Sequence, residues 1–323
     1  MEQYYKPITI VIDEGSSGMT VRTVLERKLG VSRKLLSRVK QTEQGITLGG
    51  ERVYTSHKVS AGDELTIRME QEISDDIKPE KMDLAIVFED DDLLIVNKPA
   101  GLIVHPTHGH YTGTLANGIV HYWQEKGERV RFRPVHRLDE DTSGLVCIAK
   151  NPYIHQQLSE QLQAGQIDKW YCAYVYRSPS PLSGTVDAPI DRNPDAPHVR
   201  MVREDGYPSI THYTTTAVYG KEGDAAASKV RLKLATGRTH QIRVHMQHLG
   251  CPLIGDKMYG PEAQSVHRLH GLQAVPAWEE TVSRQALHAE TLGLTHPMTK
   301  ERMEWTASLP EELIRLEQIL ETT

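Results

Sequence analysis

His136-Arg137-Leu138-Asp139-Glu140-Asp141-Thr142-Ser143-Gly144-Leu145-Val146-Cys147-Ile148-Ala149 joins two unlike halves. Up to Ser143 every residue except Leu138 is polar or charged. From Leu145 to Ala149 all are apolar, the pattern of a short strand buried on both faces. Gly144 stands at the junction and permits backbone angles closed to other residues. The run therefore reads as a loop at the head of a buried strand, with Asp139 held by a rigid element. An Asp in a loop is commonly a turn former or helix cap, and Glu140 and Asp141 can fill that role equally well.

Upstream of this run, Ala85-Ile86-Val87-Phe88 and Leu93-Leu94-Ile95-Val96 bracket an acidic turn. Downstream, Tyr153 to Leu162 has helical periodicity and Gly165 ends it. Trp170 to Tyr176 reads as a strand, and so does Ser228 to Ala235, where Val230, Leu232 and Leu234 alternate with Lys229, Arg231 and Lys233. After Ala235, Thr239 is placed to cap a helix whose apolar face is Ile242, Met246 and Leu249, closed by Gly250. From Asp83 onward strands and helices mix without a regular strand-helix-strand repeat, which predicts an α+β fold.

The chain has 323 residues, enough for about two domains. Its 38% hydrophobic and 25% charged content is ordinary for a globular protein. Its apolar runs are far shorter than the ~20 residues needed to cross a bilayer, so no membrane association is expected. Met1-Glu2-Gln3-Tyr4-Tyr5-Lys6-Pro7 lacks the basic start and apolar core of a secretory signal. Cys147, Cys172 and Cys251 are neither a disulfide framework nor a zinc-type pair; they suit a reducing cytoplasm as small buried hydrophobes.

The formal net charge of −6 hides an uneven distribution. Val21 to Lys40 holds seven basic residues, among them Arg33, Lys34 and Arg38, against one acid, Glu26. Gln71 to Ile95 holds nine acids against Lys78 and Lys81. Within the basic stretch Thr20 caps a helix through Val21, Val24, Leu25 and Leu29 that Gly30 ends, and Ser32 caps a second through Leu35, Leu36 and Val39. Ile46 to Val53, with Gly49-Gly50 at its centre, reads as a hairpin, and Glu64 to Arg68 as a closing strand. A small module over residues 1–70 is expected, with basic residues crowding its second helix, then a linker over 71–82 and a larger domain over 83–323. Such a basic face binds phosphate without reading sequence; alone, it could equally be a solvated helix surface.

Gly30-Val31-Ser32-Arg33-Lys34-Leu35-Leu36 and Val59-Ser60-Ala61-Gly62-Asp63 resemble the alpha-L RNA-binding module first known from the fourth small-subunit ribosomal protein. In the larger domain, four segments resemble the RluA/RluD-type large-subunit ribosomal RNA pseudouridine synthases. They are Val96-Asn97-Lys98-Pro99-Ala100-Gly101-Leu102-Ile103-Val104-His105-Pro106, the run from Val135 to Lys150, Lys169-Trp170-Tyr171-Cys172-Ala173-Tyr174-Val175, and Gly237-Arg238-Thr239-His240-Gln241-Ile242-Arg243-Val244-His245. The last continues through Gly255-Asp256-Lys257-Met258-Tyr259-Gly260, and Leu287-His288-Ala289 with His296-Pro297-Met298-Thr299 follows in the same order.

The resemblance implies the pseudouridine synthase fold, with a mixed, largely antiparallel sheet flanked by helices. It implies isomerisation of uridine in structured RNA, with large-subunit ribosomal RNA as the expected partner and transfer RNA as the alternative, by a cytoplasmic monomer. It makes Asp139 the catalytic carboxylate, Arg243 its ion-pair partner and Tyr171 the aromatic residue stacked on the uracil. Arg137 becomes the residue that fills the gap left by a flipped-out nucleotide. His136, Arg238, His240, Arg33, Lys34 and Arg38 are the further expected RNA contacts.

The reaction breaks the bond from ribose to a base nitrogen, turns the uracil and rejoins it through carbon 5. Nothing is oxidised or hydrolysed, so no cofactor or metal is required. One ionised carboxylate can attack the anomeric carbon or remove the proton from the 2′ carbon, and an adjacent cation favours the ionised form. A planar guanidinium suits a carboxylate bidentately. The clusters His105, His108, His110 and His240, His245, His248 lack a His-Glu-x-x-His pattern, so no metal site is expected. A silent RNA-binding protein would be expected to lose Asp139, Tyr171 or Arg243, and all three are present. A glycosidase-type hydrolase normally needs two carboxylates.

Overall fold

The computed structural model describes residues 4–220, 227–261 and 277–322. The first three residues of the stretch read for a secretory signal lie outside them. No helix among the described residues is long and apolar enough to cross a membrane.

Residues 4–70 form β1 (Ile8–Val11), α1 (Val21–Lys28), α2 (Arg33–Val39), β2 (Ile46–Leu48), β3 (Glu51–Arg52) and β4 (Glu64–Ile67), with sheet order β1-β4-β2-β3. The helix starts fall where the cap residues placed them. Thr20 Oγ1 accepts from Thr23 N at 3.3 Å and Ser32 Oγ from Leu35 N at 3.2 Å. Gly49 and Gly50, at φ 57° and 89°, make the turn between β2 and β3, both in the region that two-residue hairpins demand.

The larger part contains β5 (Ala85–Glu89), β6 (Leu93–Lys98), α3 (Leu115–Glu125), β7 (Ser143–Ala149), α4 (Pro152–Gln163), β8 (Asp168–Tyr176), β9 (Ser183–Asp187), β10 (Ile190–Arg192), β11 (Arg200–Val202), β12 (Ile210–Tyr219), β13 (Ala227–Leu234), α5 (Gln241–His248), β14 (Leu287–Thr295), β15 (Arg302–Thr306) and α6 (Glu311–Glu321). A nine-stranded sheet runs β5-β6-β7-β14-β8-β13-β12-β9, with β15 paired to β14. Its pairings are antiparallel except β7 with β14. The sheet is thus mixed and largely antiparallel, in an α+β fold.

Both faces of the sheet are covered, which is why β6 and β7 read as continuous apolar runs. Leu94, Val96, Val146 and Ile148 face α3 and α5, whereas Leu93, Ile95, Leu145, Cys147 and Ala149 face α4 and the N-terminal sheet. Each buried aliphatic side chain contributes ~1.5–3 kcal/mol. One apolar cluster runs from Leu35 and Leu36 of α2 to Ile154 and Leu158 of α4, so residues 4–70 share a core with the larger part. Polar contacts reinforce the join: Tyr153 donates to Leu29 O at 2.8 Å, and Gln156 takes Ser32 N at 2.9 Å while donating to Gly30 O at 2.6 Å.

The segment read as a linker carries no helix or strand, but it is strapped down. Ile77 and Ser74 are buried, Phe132 N donates to Ser74 Oγ at 2.8 Å, and Asn117 Nδ2 donates to Lys78 O at 2.7 Å. Helix α3 is legible only afterwards. Asn117 and Gly118 disfavour a helix interior, yet Thr114 and Asn117 form a capping box, and a Cβ on Gly118 would lie 2.3 Å from Met82. All three cysteines are buried and free.

Candidate active site

Sheet register assembles the site. Gly144 on β7 pairs with Ala289 on β14, Ala289 with Tyr171 on β8, and Tyr171 with Leu232 on β13. This row brings the loop carrying Asp139, the Tyr171 phenol and the β13–α5 turn to one end of the sheet. Gly144 has φ 118°, and a Cβ there would sit 2.2 Å from Ala289 O, so the parallel pairing requires glycine. A cleft of about 790 Å³ opens above the row, lined by Asp139, Tyr171, Lys169, Arg137, Arg238 and Arg243 among others.

The loop before β7 is anchored from below by two buried cations. Lys98 Nζ donates to Pro99 O, Leu102 O and Glu140 O at 2.8, 2.7 and 2.8 Å, and Arg284 Nη1 donates to Asp141 O at 2.9 Å. Thr142 N closes a turn onto Asp139 O at 3.1 Å. The loop's carbonyls are thereby spent on the scaffold, and the Asp139 side chain faces the cleft. Burial lowers the Lys98 pKa to about 7, with the Arg284 charge acting in the same direction.

Arg243 is buried on the first turn of α5 and meets two carboxylates, the expected Asp139 and also Asp256. Its planar fork grips Asp256, with Nε to Oδ2 at 2.6 Å and Nη2 to Oδ1 at 2.8 Å; only Nη1 reaches Asp139 Oδ2, at 3.3 Å. The bidentate partner is therefore Asp256, whose side chain is fully buried and whose Oδ1 also accepts from Met258 N and Tyr259 N at 3.0 Å each. The Tyr259 ring lies 4.9 Å from the guanidinium. Burial works against the charge on Arg243, but Asp256 and then Asp139 overcome it and raise its pKa. Asp256 lies in the run Gly255 to Gly260, where nothing local distinguishes a buried anchor from a turn aspartate. Gly255, at φ 71° with a Cβ position 2.2 Å from Arg284 O, makes that turn possible.

Tyr171 is buried against the cleft, and burial followed by the Asp139 charge raises its pKa, so the phenol is neutral near pH 7. Arg137 and Arg238 are exposed at the rim; the Arg238 guanidinium lies 5.6 Å from the Tyr207 ring. His136 turns inward: Cys147 N donates to its Nε2 at 3.3 Å, its Nδ1 is buried without a partner among the described residues, and burial lowers its pKa to about 3. The bond from Cys147 N ties the ring, which lines the cleft, to β7.

The helix cap read at Thr239 falls instead at His240, which is left-handed at φ 58° and makes no side-chain cap. Its Nδ1 is bound to Tyr259 Oη at 2.9 Å, and Gln241 turns back to accept from Arg238 N at 2.9 Å. Both nitrogens of His245 are taken, by Thr211 Oγ1 and Ala188 O, so it is not free to ligate a metal. On α2, Arg33 and Lys34 are exposed, whereas Arg38 pairs with Glu72, which also holds Arg133.

A solved structure titled human RNA pseudouridylate synthase domain containing 1 has this fold, with a TM-score of 0.55 and 27% identity over 76% of this chain and 98% of that one. The fold and cleft thus define a pseudouridine synthase, an isomerase acting on RNA. The family model described as RNA pseudouridylate synthase matches residues 92–248. The uncharacterized RNA pseudouridine synthase YjbO of Bacillus subtilis is 36% identical over 290 residues, 90% of this chain and 95% of that protein. The ribosomal large subunit pseudouridine synthase D of Escherichia coli K12 is 38% identical over 263 residues, covering 81% of this chain and 78% of that one. The chain belongs to the RNA pseudouridylate synthase family, in its RluA/RluD branch.

Proposed function

We propose that Asp139 is the catalytic carboxylate, acting on a uridine flipped into the cleft, and that large-subunit ribosomal RNA supplies that uridine. The observation that carries this reading is the contact between Arg243 Nη1 and Asp139 Oδ2 inside the cleft that Tyr171 lines. Attack on the anomeric carbon and removal of the 2′ proton both need one ionised oxygen, and Asp139 offers Oδ1 without a hydrogen-bond partner among the described residues. Arg243 holds the carboxylate while Asp256 holds Arg243, so the pair is oriented before RNA arrives.

Tyr171 provides a flat wall against which a base can lie and still turn. As a neutral phenol it packs and donates; it is a weak proton acceptor. Arg137, exposed two residues before Asp139, is placed to enter the RNA stack as the uridine leaves it, and Arg238 to meet a phosphate at the rim. Residues 4–70 form the RNA-binding module, with Arg33 and Lys34 as its phosphate contacts. Support for the ribosomal substrate comes from the relative named for the large ribosomal subunit. The three free cysteines support a reducing cytoplasm.

The test is pseudouridine mapping of total RNA from a deletion strain rescued with wild-type or Asp139→Asn protein. Wild-type protein restores the missing sites and the Asn variant restores none; restoration by Asp139→Asn would refute the assignment.

A further inference from the structure

Three lysines are buried among the described residues: Lys98, Lys150 and Lys169. Two are fully provided for. Lys98 donates to three carbonyls, and Lys150 pairs with Glu89 and Glu128 at 3.0 and 2.8 Å. Lys169, only 7% exposed, has neither a hydrogen-bond acceptor nor a carboxylate among the described residues. A desolvated ammonium without a partner is costly to keep. The fold retains it on the cleft wall, two residues before Tyr171 and so on the same face of β8. The β13–α5 turn passes over it at Gly237, where a Cβ would lie 3.5 Å from Nζ.

Depth in the cleft indicates which part of the substrate Lys169 meets. Arg137 and Arg238 are exposed at the rim, where the RNA backbone must run. Lys169 is buried beside Tyr171, where the flipped base must lie. We infer that Lys169 donates a hydrogen bond to a carbonyl oxygen of the uracil and stabilises the charge that the ring carries when it is detached. This rests on the proposal that uridine reacts at Asp139.

The C1′–N1 bond breaks with its electron pair passing to the uracil, which spreads the charge over N1 and the carbonyl oxygens. C5 then bonds C1′, C5 loses its proton and N1 gains one, so the product is an isomer and no co-reactant is consumed. A donor fixed in a dry site acts most strongly where charge develops in this way. Burial alone lowers the Lys169 pKa, to about 8.

The test is single-turnover tritium release from ribosomal RNA labelled at uridine C5 and purified from the deletion strain. Lys169→Met is expected to slow release about 100-fold at saturating RNA, the loss typical of removing one such donor, with Kd unchanged within about threefold. Wild-type activity should decline as pH rises through about 8, because the ammonium form is needed. Lys169→Arg stays charged, so it should regain activity and keep it above that pH.

A wild-type rate in Lys169→Met, with Asp139→Asn inactive, overturns the lysine's role alone. A loss confined to Kd overturns it in favour of a phosphate contact. Should Lys169→Met fail to fold by circular dichroism, the Lys169→Arg profile decides, and an alkaline decline unchanged from wild type overturns the inference. Activity in Asp139→Asn overturns the reading of the cleft, and the lysine's role with it.

Discussion

Asp256→Asn keeps the shape of the buried side chain and removes its charge. Asp256 accepts four hydrogen bonds, two of them from Arg243 at 2.6 and 2.8 Å, and its side chain is fully buried. In the variant an amide NH₂ faces the guanidinium, or flips and loses the backbone donors. Arg243 is left almost buried, with only the 3.3 Å contact to Asp139. Breaking one side of a buried ion pair costs about 3–5 kcal/mol. At about 2.1 cal/mol/K of unfolding entropy per residue, that is a fall in Tm of roughly 4–7 °C in a chain of 323 residues.

The catalytic effect is separate. With its fork released, Arg243 no longer fixes Asp139, and a displacement of ~1 Å at a reacting group slows chemistry about 100-fold. Calorimetry and single-turnover tritium release below the variant's Tm measure the two effects independently. A Tm within about 2 °C of wild type together with a rate within about threefold would show that Asp256 neither carries Arg243 nor positions Asp139.

Gly144→Ala is expected to destabilise by roughly 2–5 kcal/mol, combining a positive φ with a 2.2 Å approach to Ala289 O, and urea unfolding gives the value. Glu89 accepts from Tyr122, Lys126 and Lys150. Burial pushes its pKa up, but those bonds outweigh burial and hold it at about 2. Its folded-state pKa is depressed, so its contribution is complete above the unfolded value near 4.5 and is lost as pH falls through about 2. The stability gap between wild type and Glu89→Gln should therefore close over that window, as read from urea midpoints at successive pH values. Arg33→Glu with Lys34→Glu should raise the RNA Kd and flatten its logarithmic salt dependence by about two, leaving the rate at saturating RNA unchanged; an unaltered slope rules out phosphate contacts there.

Local chemistry made several features readable from the chain alone. Thr20 and Ser32 cap their helices because each side chain acts on an amide three residues away. Gly49-Gly50 turns a hairpin because both positions need positive φ. The polar-to-apolar break at Gly144 set Asp139 at the head of a buried strand. Helix α3 escaped because Asn117 and Gly118 suit a turn until Met82 is packed against them.

Tertiary structure alone decided which distant residues meet. The parallel pairing of β7 with β14 joins Ser143 to His288, a separation that no periodicity reports. The same register carries Tyr171 to the Asp139 loop. Arg243 could be matched to a carboxylate from sequence, but only the fold showed that Asp256 takes two of its nitrogens and Asp139 one. Nothing local sets Lys169 apart from other lysines; the fold buries it with no hydrogen-bond acceptor or carboxylate among the described residues. Sequence specifies local conformation through bonds spanning a few residues, whereas burial and ion pairing depend on every segment that closes over a side chain.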